Sequence, residues 1–220
     1  MLSFLQRLFR KPLPERSYAL NELDKKLLPF LDRRRGFFIE AGANDGVTQS
    51  NTLFFERHRG WRGLLIEPIP ELAARCRKNR PRSIVENCAL LAAGDPRREV
   101  TMQYCNLMSL VKGAMQSDEA DRAHIEKGCA VQGIESYEIT VPARTLDDIL
   151  ASHGIQHVDL FSLDVEGFEL AVLQGLTKVR PRFLLIEARD RAAIDAHLAP
   201  HYDVAAELSH HDVLYRLRVP

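Results

Sequence analysis

Long apolar runs are missing from this chain: nothing in it approaches the ~20 consecutive apolar residues that a bilayer-crossing helix needs. Cysteine is sparse and unpatterned. Cys76, Cys88, Cys105 and Cys129 form no Cys-x-x-Cys pair and have no histidines at zinc spacing. They read as buried or incidental thiols in a reducing, cytoplasmic compartment. An excess of either charge is also lacking, since 30 basic side chains face 30 acidic ones. That balance argues against a nucleic-acid partner held by broad electrostatic attraction. Internal repeats and low-complexity segments are absent too.

What is present is length and an ordinary mixture. The 220 residues, 45% hydrophobic and 27% charged, suit one sizeable α/β domain with its own core. Residues 1–16 stand apart as a basic amphipathic tail. Leu2, Leu5, Leu8 and Phe9 share one helical face, with Arg7, Arg10 and Lys11 elsewhere, and no secretory h-region or cleavage site is visible. Such a tail either frays or rests weakly on a membrane surface. Pro12 and Pro14 separate it from a single domain over 17–220. Leu20, Leu23, Leu27 and Leu31 repeat at helical spacing and predict a helix within 17–35 laid across a sheet, ended or kinked by Pro29.

The centre of the pattern is Phe37-Phe38-Ile39-Glu40-Ala41-Gly42-Ala43-Asn44-Asp45-Gly46. A wholly apolar run suits a strand buried on both faces. It breaks into a glycine-bearing turn, where backbone can approach a ligand closely. Twenty-five residues after Gly42, the run Gly63-Leu64-Leu65-Ile66 ends in Glu67, an acid placed to hold ribose hydroxyls. Asn44 stands where Gly-x-Gly-x-x-Gly needs its second glycine, and no Gly-x-x-x-x-Gly-Lys-Ser/Thr loop occurs. Glu40, two residues before the first glycine, suits a ligand with a positive centre, such as S-adenosylmethionine, better than a pyrophosphate. Ser50, Asn51 and Thr52 either cap the next helix or touch the ligand's amino-acid end. Trp61 reads as packing.

Further strands are expected at 83–89, 100–104, 136–141, 158–164 and 182–187, with a closing antiparallel pair at 202–206 and 212–218. Asn87, at a strand tip, can pair with an adenine edge or brace a turn. Residues 105–135, with a helix from near Ser117, form an insertion longer than a usual connection and a candidate lid over a substrate. Thr145-Leu146-Asp147-Asp148 opens a helix in the manner of a capping box. Asp164 ends a strand at the edge where Glu40 and Glu67 lie, followed closely by Glu166 and Glu169. Glu169 is explained by the helix dipole, whereas Asp164 points to function. Glu187 ends the next strand. His210-His211, in the last turn, could bind metal or act as a base, but an exposed turn explains it better.

Taken together, these motifs resemble the FkbM family of S-adenosylmethionine-dependent methyltransferases over roughly Leu20 to Leu217. The resemblance rests on the strand and turn at 36–46, Ser50-Asn51-Thr52, Gly63 to Pro68, Thr145-Leu146-Asp147 and Leu163 to Glu169, in that order. It implies a class I methyltransferase (Rossmann-like) fold: a seven-stranded, mostly parallel sheet with one antiparallel strand and helices on both faces. It also implies methyl transfer to a hydroxyl of a sugar, glycan or related secondary-metabolite acceptor. By motif, Glu40, Gly42 and Asn44 would surround the methionine end of the cofactor, within a cofactor-binding set that includes Asp45, Gly46, Ser50 and Asn51. Glu67 would take the ribose and Asn87 would lie near the adenine. Asp164 and Glu166 would face the reacting centre, as base or acceptor-orienting groups, and a divalent cation on Asp164 and Glu187 is the alternative. Met108 departs from the small, serine-rich turn that relatives carry near 106–110. The competing readings are a non-catalytic S-adenosylmethionine-binding module and a nicotinamide-dependent oxidoreductase.

Overall fold

A computed structural model describes residues 16–114 and 117–218; the amphipathic segment from Leu2 to Lys11 lies outside the described residues. In chain order the elements are α1 (Leu23–Lys26), β1 (Phe37–Ala41), α2 (Leu53–Arg59), β2 (Arg62–Ile66), α3 (Pro70–Asn79) and β3 (Ile84–Glu86). Then come β4 (Ala89–Leu91), β5 (Glu99–Tyr104), β6 (Leu110–Val111), α4 (Asp118–Gln132), β7 (Tyr137–Thr145) and α5 (Leu146–Ser152). The chain continues through β8 (Leu160–Leu163), α6 (Glu169–Gln174), β9 (Phe183–Glu187), α7 (Arg191–Leu198), β10 (Tyr202–Glu207) and β11 (Asp212–Leu217). No helix among the described residues is long and apolar enough to cross a membrane.

Seven strands form the main sheet in the order β10-β11-β9-β8-β1-β2-β3. All neighbouring pairs are parallel except those made by β11, which runs antiparallel to β9 and β10. The expected sheet is therefore present. The alternation of side chains along each strand builds a core on either side. Ile39, Leu64, Phe161 and Ile186 pack with Leu146, Ile149, Leu173 and Ile194, from α5, α6 and α7. Phe38, Leu65, Leu160 and Leu185 pack on the other face with Leu27, Phe55, Trp61 and Cys76. The sheet winds one way from β1 to β2 and the other way to β8, so a crevice opens at the carboxyl ends of these strands.

A second sheet, β4-β7-β5-β6, was expected only as isolated short strands. The run read as one strand over 83–89 is divided between the two sheets. The Asn87 side-chain amide (Nδ2) donates to the carbonyls of Glu67 (2.9 Å) and Pro68 (2.8 Å), where the chain leaves the main sheet after β3 and enters the second at β4.

The helix expected within 17–35 shrinks to a 3-10 turn, Leu20–Glu22, and the single turn α1. Asn21 and Glu22 take left-handed backbone (φ 52° and 57°), which interrupts any continuous helix. Leu23, Leu27 and Leu31 are buried as their spacing required, but Leu20 is turned outward.

Candidate active site

The turn after β1 is held by close backbone approach. Gly42 has φ +79°, and a Cβ there would lie 1.9 Å from the Asp164 carbonyl oxygen, so only glycine lets the tips of β1 and β8 meet this closely. The amides of Gly42 and Ala43 both donate to the Ile66 carbonyl at 3.1 Å, tying the same turn to the tip of β2. Asp45 accepts from the amides of Val47 (2.9 Å) and Thr48 (2.7 Å) and so shapes the turn. Gly46 is a packing glycine, whose added Cβ would press on Arg80 Cγ at 2.8 Å.

Glu40 projects to the α2 and α3 side of the sheet, where both its oxygens meet protein donors. Ser50 Oγ (2.8 Å) and Thr52 Oγ1 (2.6 Å) donate to one oxygen, and the Asn51 amide (2.8 Å) donates to the other. Ser50 also accepts from the Leu53 amide, at the start of α2. The polar cluster 50–52 therefore braces both the acid and the helix start. Beneath it lies Arg80, fully buried, which donates to Glu56 (2.8 Å), the Gly46 carbonyl (2.9 Å), Ser50 (3.2 Å) and Thr52 (3.1 Å).

A cleft of about 340 Å³ runs along the strand tips. Glu40, Gly42, Asn44 and Ser50 line it from the β1 side, Glu67 from β2, and Asp164, Glu166 and Glu187 from the β8 and β9 side. Asp45, Gly46, Asn51 and Asn87 are outside its lining, as are His210 and His211, which are exposed in the β10–β11 turn. Glu67 is buried and accepts from the amides of Asn44 and Ile69 at 2.8 and 2.9 Å. Burial outweighs these bonds and pushes its pKa up from 4.5 to about 7. A raised carboxylate takes up a proton on folding, so its stabilisation is complete below 4.5 and is lost as pH rises through about 7. Urea unfolding should thus show a less stable unliganded protein at pH 8 than at pH 5, and Glu67→Gln, which cannot ionise, should flatten that slope.

Oxygens of Asp164, Glu166 and Glu187 lie within 4.8 Å of one another. Asp164 is open to the cleft, yet protein crowds around it. Poor hydration first, then the charges of Glu187, Glu166 and Glu169, raise its pKa well above the usual carboxylate range. Glu166 sits in a left-handed turn (φ 55°) and is pushed up to about 7 by burial, against the opposing pull of Arg189. Arg189 pairs with Glu166 and, at 3.3 Å, with Glu187. Glu169 does not face the reaction; its carboxylate accepts from the amides of Val165 (3.2 Å) and Gly167 (2.9 Å) and closes the turn.

The insertion lies on this cleft, with Asn106, Leu107, Met108, Ser109, Val131 and Gln132 among the lining. Asn44 donates to Asn106 Oδ1 at 3.1 Å, joining the insertion to the β1 turn. α4 starts where expected, with Ser117 accepting from the Ala120 amide. Two residues near the acids were not singled out from the sequence. His124 of α4 reaches the Met108 carbonyl at 3.2 Å and Glu166 at 3.3 Å, and burial followed by Arg189 pushes its pKa down. Arg189 could have been found from its place two residues beyond a strand-tip acid; His124 carried no such signal.

The strand order and the single antiparallel strand are those of the class I methyltransferase fold, with acids at the tips of β2, β8 and β9. The sequence pattern of the methyltransferase FkbM domain matches residues 40–217, and the chain belongs to that family. Among solved structures it is similar to the methyltransferase FkbM from Methylobacillus flagellatus KT, at 16% identity and a TM-score of 0.48, with 83% of this chain and 43% of that one covered. It thus spans less than half of that protein. It is also similar to a methyltransferase from Geobacter sulfurreducens (14% identity, TM-score 0.47, 98% and 85% covered). A TehB-like SAM-dependent methyltransferase from Corynebacterium glutamicum is similar at 8% identity and a TM-score of 0.46 (97% and 92% covered). No curated protein matches the sequence. Membership of this family favours the S-adenosylmethionine reading over the nicotinamide-dependent one.

Proposed function

We propose that the protein methylates a hydroxyl group of a sugar, glycan or related secondary-metabolite acceptor. The observation that carries this reading is the trio Asp164, Glu166 and Glu187 at one end of the cleft, because an alcohol needs a base beside it. Glu67 holds the ribose hydroxyls, with Asn44 fixed against it through the backbone. Glu40 shapes the turn around the methionine end by gathering residues 50–52, and Asn87 sets the adenine side by bracing the Glu67-Pro68 turn. S-adenosylmethionine would supply the methyl group to the acceptor oxygen and leave as S-adenosylhomocysteine, while Asp164 or Glu166 would orient the hydroxyl and take its proton.

Calorimetry and methyl-labelled cofactor with a saccharide panel test these roles. Glu67→Ala should weaken cofactor binding at least tenfold, since each bond from a hydroxyl to a charged group contributes about 1.5–3 kcal/mol. Asp164→Asn should keep cofactor affinity and lose about 10²–10⁴ in turnover. Unchanged affinity in Glu67→Ala would refute the ribose assignment, and full turnover in Asp164→Asn would refute the base. A divalent cation on Asp164 and Glu187 is the second reading. Arg189 already sets a positive charge against Glu166 and Glu187, so turnover is expected to survive a chelator.

A further inference from the structure

Leu20 is in helical phase with Leu23, Leu27 and Leu31, yet it is 54% exposed while they are buried. The left-handed Asn21 and Glu22 cause this. Such residues cost ~1–3 kcal/mol each and persist where the surrounding structure enforces them, often beside ligands. A bridge between Ala19 and Gln49 fastens the segment to the loop after β1, and Leu20 lines the cleft. Val131, in the last turn of α4, is 74% exposed and lines the same cleft, with Leu107 and Met108 of the insertion. Among the described residues four large hydrophobic side chains are exposed, and two of them stand at this one opening. Single exposed apolar residues are ordinary on a surface, but here two from separate segments line one cleft and give it apolar edges.

The opposite chemistry holds at Asp164, Glu166 and Glu187, where three carboxylates are gathered and Arg189 pairs with two of them. A negatively charged acceptor would add to that crowding, whereas a neutral hydroxyl can donate into it. We propose that the acceptor is an amphiphile, whose neutral hydroxyl-bearing head reaches the acids and whose apolar chain leaves the cleft against Leu20 and Val131. This rests on the methyltransferase reading and narrows its acceptor class.

Calorimetry on the full chain saturated with S-adenosylhomocysteine, titrated with methyl, hexyl and octyl β-glucoside below their micelle-forming concentrations, tests it. Each buried methylene favours binding, so octyl glucoside should bind at least tenfold more tightly than methyl glucoside. Leu20→Asp and Val131→Asp should each remove most of that gain, with circular dichroism checking that each variant is folded. Octyl glucuronide, with the same chain on an anionic head, should bind at least tenfold more weakly than octyl glucoside. A flat series, no binding of any glucoside, a chain-length gain kept in both variants, or equal binding of the glucuronide would overturn the proposal while leaving the methyltransferase reading in place. Failure of S-adenosylhomocysteine itself to bind would overturn both.

Discussion

Gly42→Ala is expected to leave no folded protein capable of binding S-adenosylmethionine. The added methyl would sit 1.9 Å from the Asp164 carbonyl oxygen, far inside van der Waals contact, and that oxygen belongs to backbone that cannot rotate aside. The residue also holds φ +79°, which alanine adopts only under strain. Relief would require β1 and β8 to part at their tips, although the Asp164 amide is bonded to the Ala41 carbonyl at 3.2 Å. We expect a loss above about 4 kcal/mol, which lies in the exceptional tail of single substitutions. Circular dichroism with urea titration reads the fold, and calorimetry reads the cofactor site. A variant with near-native stability would show that the two strand tips are not locked together.

Arg80→Met should be nearly as damaging, through charge instead of volume. The guanidinium is fully buried and pairs with Glu56 at 2.8 Å, with Glu40 at 3.8 Å from it. Removing one partner of a buried pair costs about 3–5 kcal/mol, because the other charge is left without compensation. Glu56 retains Ser83 Oγ at 2.6 Å, but Glu40 would depend on residues 50–52 alone. Since those residues shape the turn proposed to hold the cofactor, S-adenosylmethionine affinity should fall together with stability. Arg80→Lys should restore only part of either, because an ammonium cannot reproduce the fork that meets Glu56, Gly46, Ser50 and Thr52 together. Full rescue by lysine would show that a point charge suffices.

The main sheet and the acids of the cleft were legible because they follow local rules. Apolar runs ending in Glu67, Asp164 and Glu187 announce buried parallel strands with polar tips, and the topology then brings those tips together. The role of Arg80 was not legible. It lies 40 residues from Glu40 in sequence, and the pattern of a helix end says nothing of a buried ion pair. Leu20 misled for a related reason: periodicity records which residues are apolar, not the two left-handed residues that break the phase after it. Asn87 offered two uses at a strand tip, and its side-chain amide is seen bracing the Glu67-Pro68 turn.

The two ends of the insertion meet at one place on the body of the protein. Tyr104, the last residue of β5, is paired with Tyr137, the first of β7, and their rings lie 4.7 Å apart. The loops between them can change length at small entropic cost, because the cost of closing a longer loop from the same two fixed ends grows only with the logarithm of its length. By contrast, β6 on β5, Asn106 on Asn44 and His124 beside Glu166 tie the rest of the insertion to the body. On the acceptor reading proposed above, changing the length of the loops between these two tyrosines is expected to reshape the acceptor side of the cleft while leaving the tips of β1 and β2 in place.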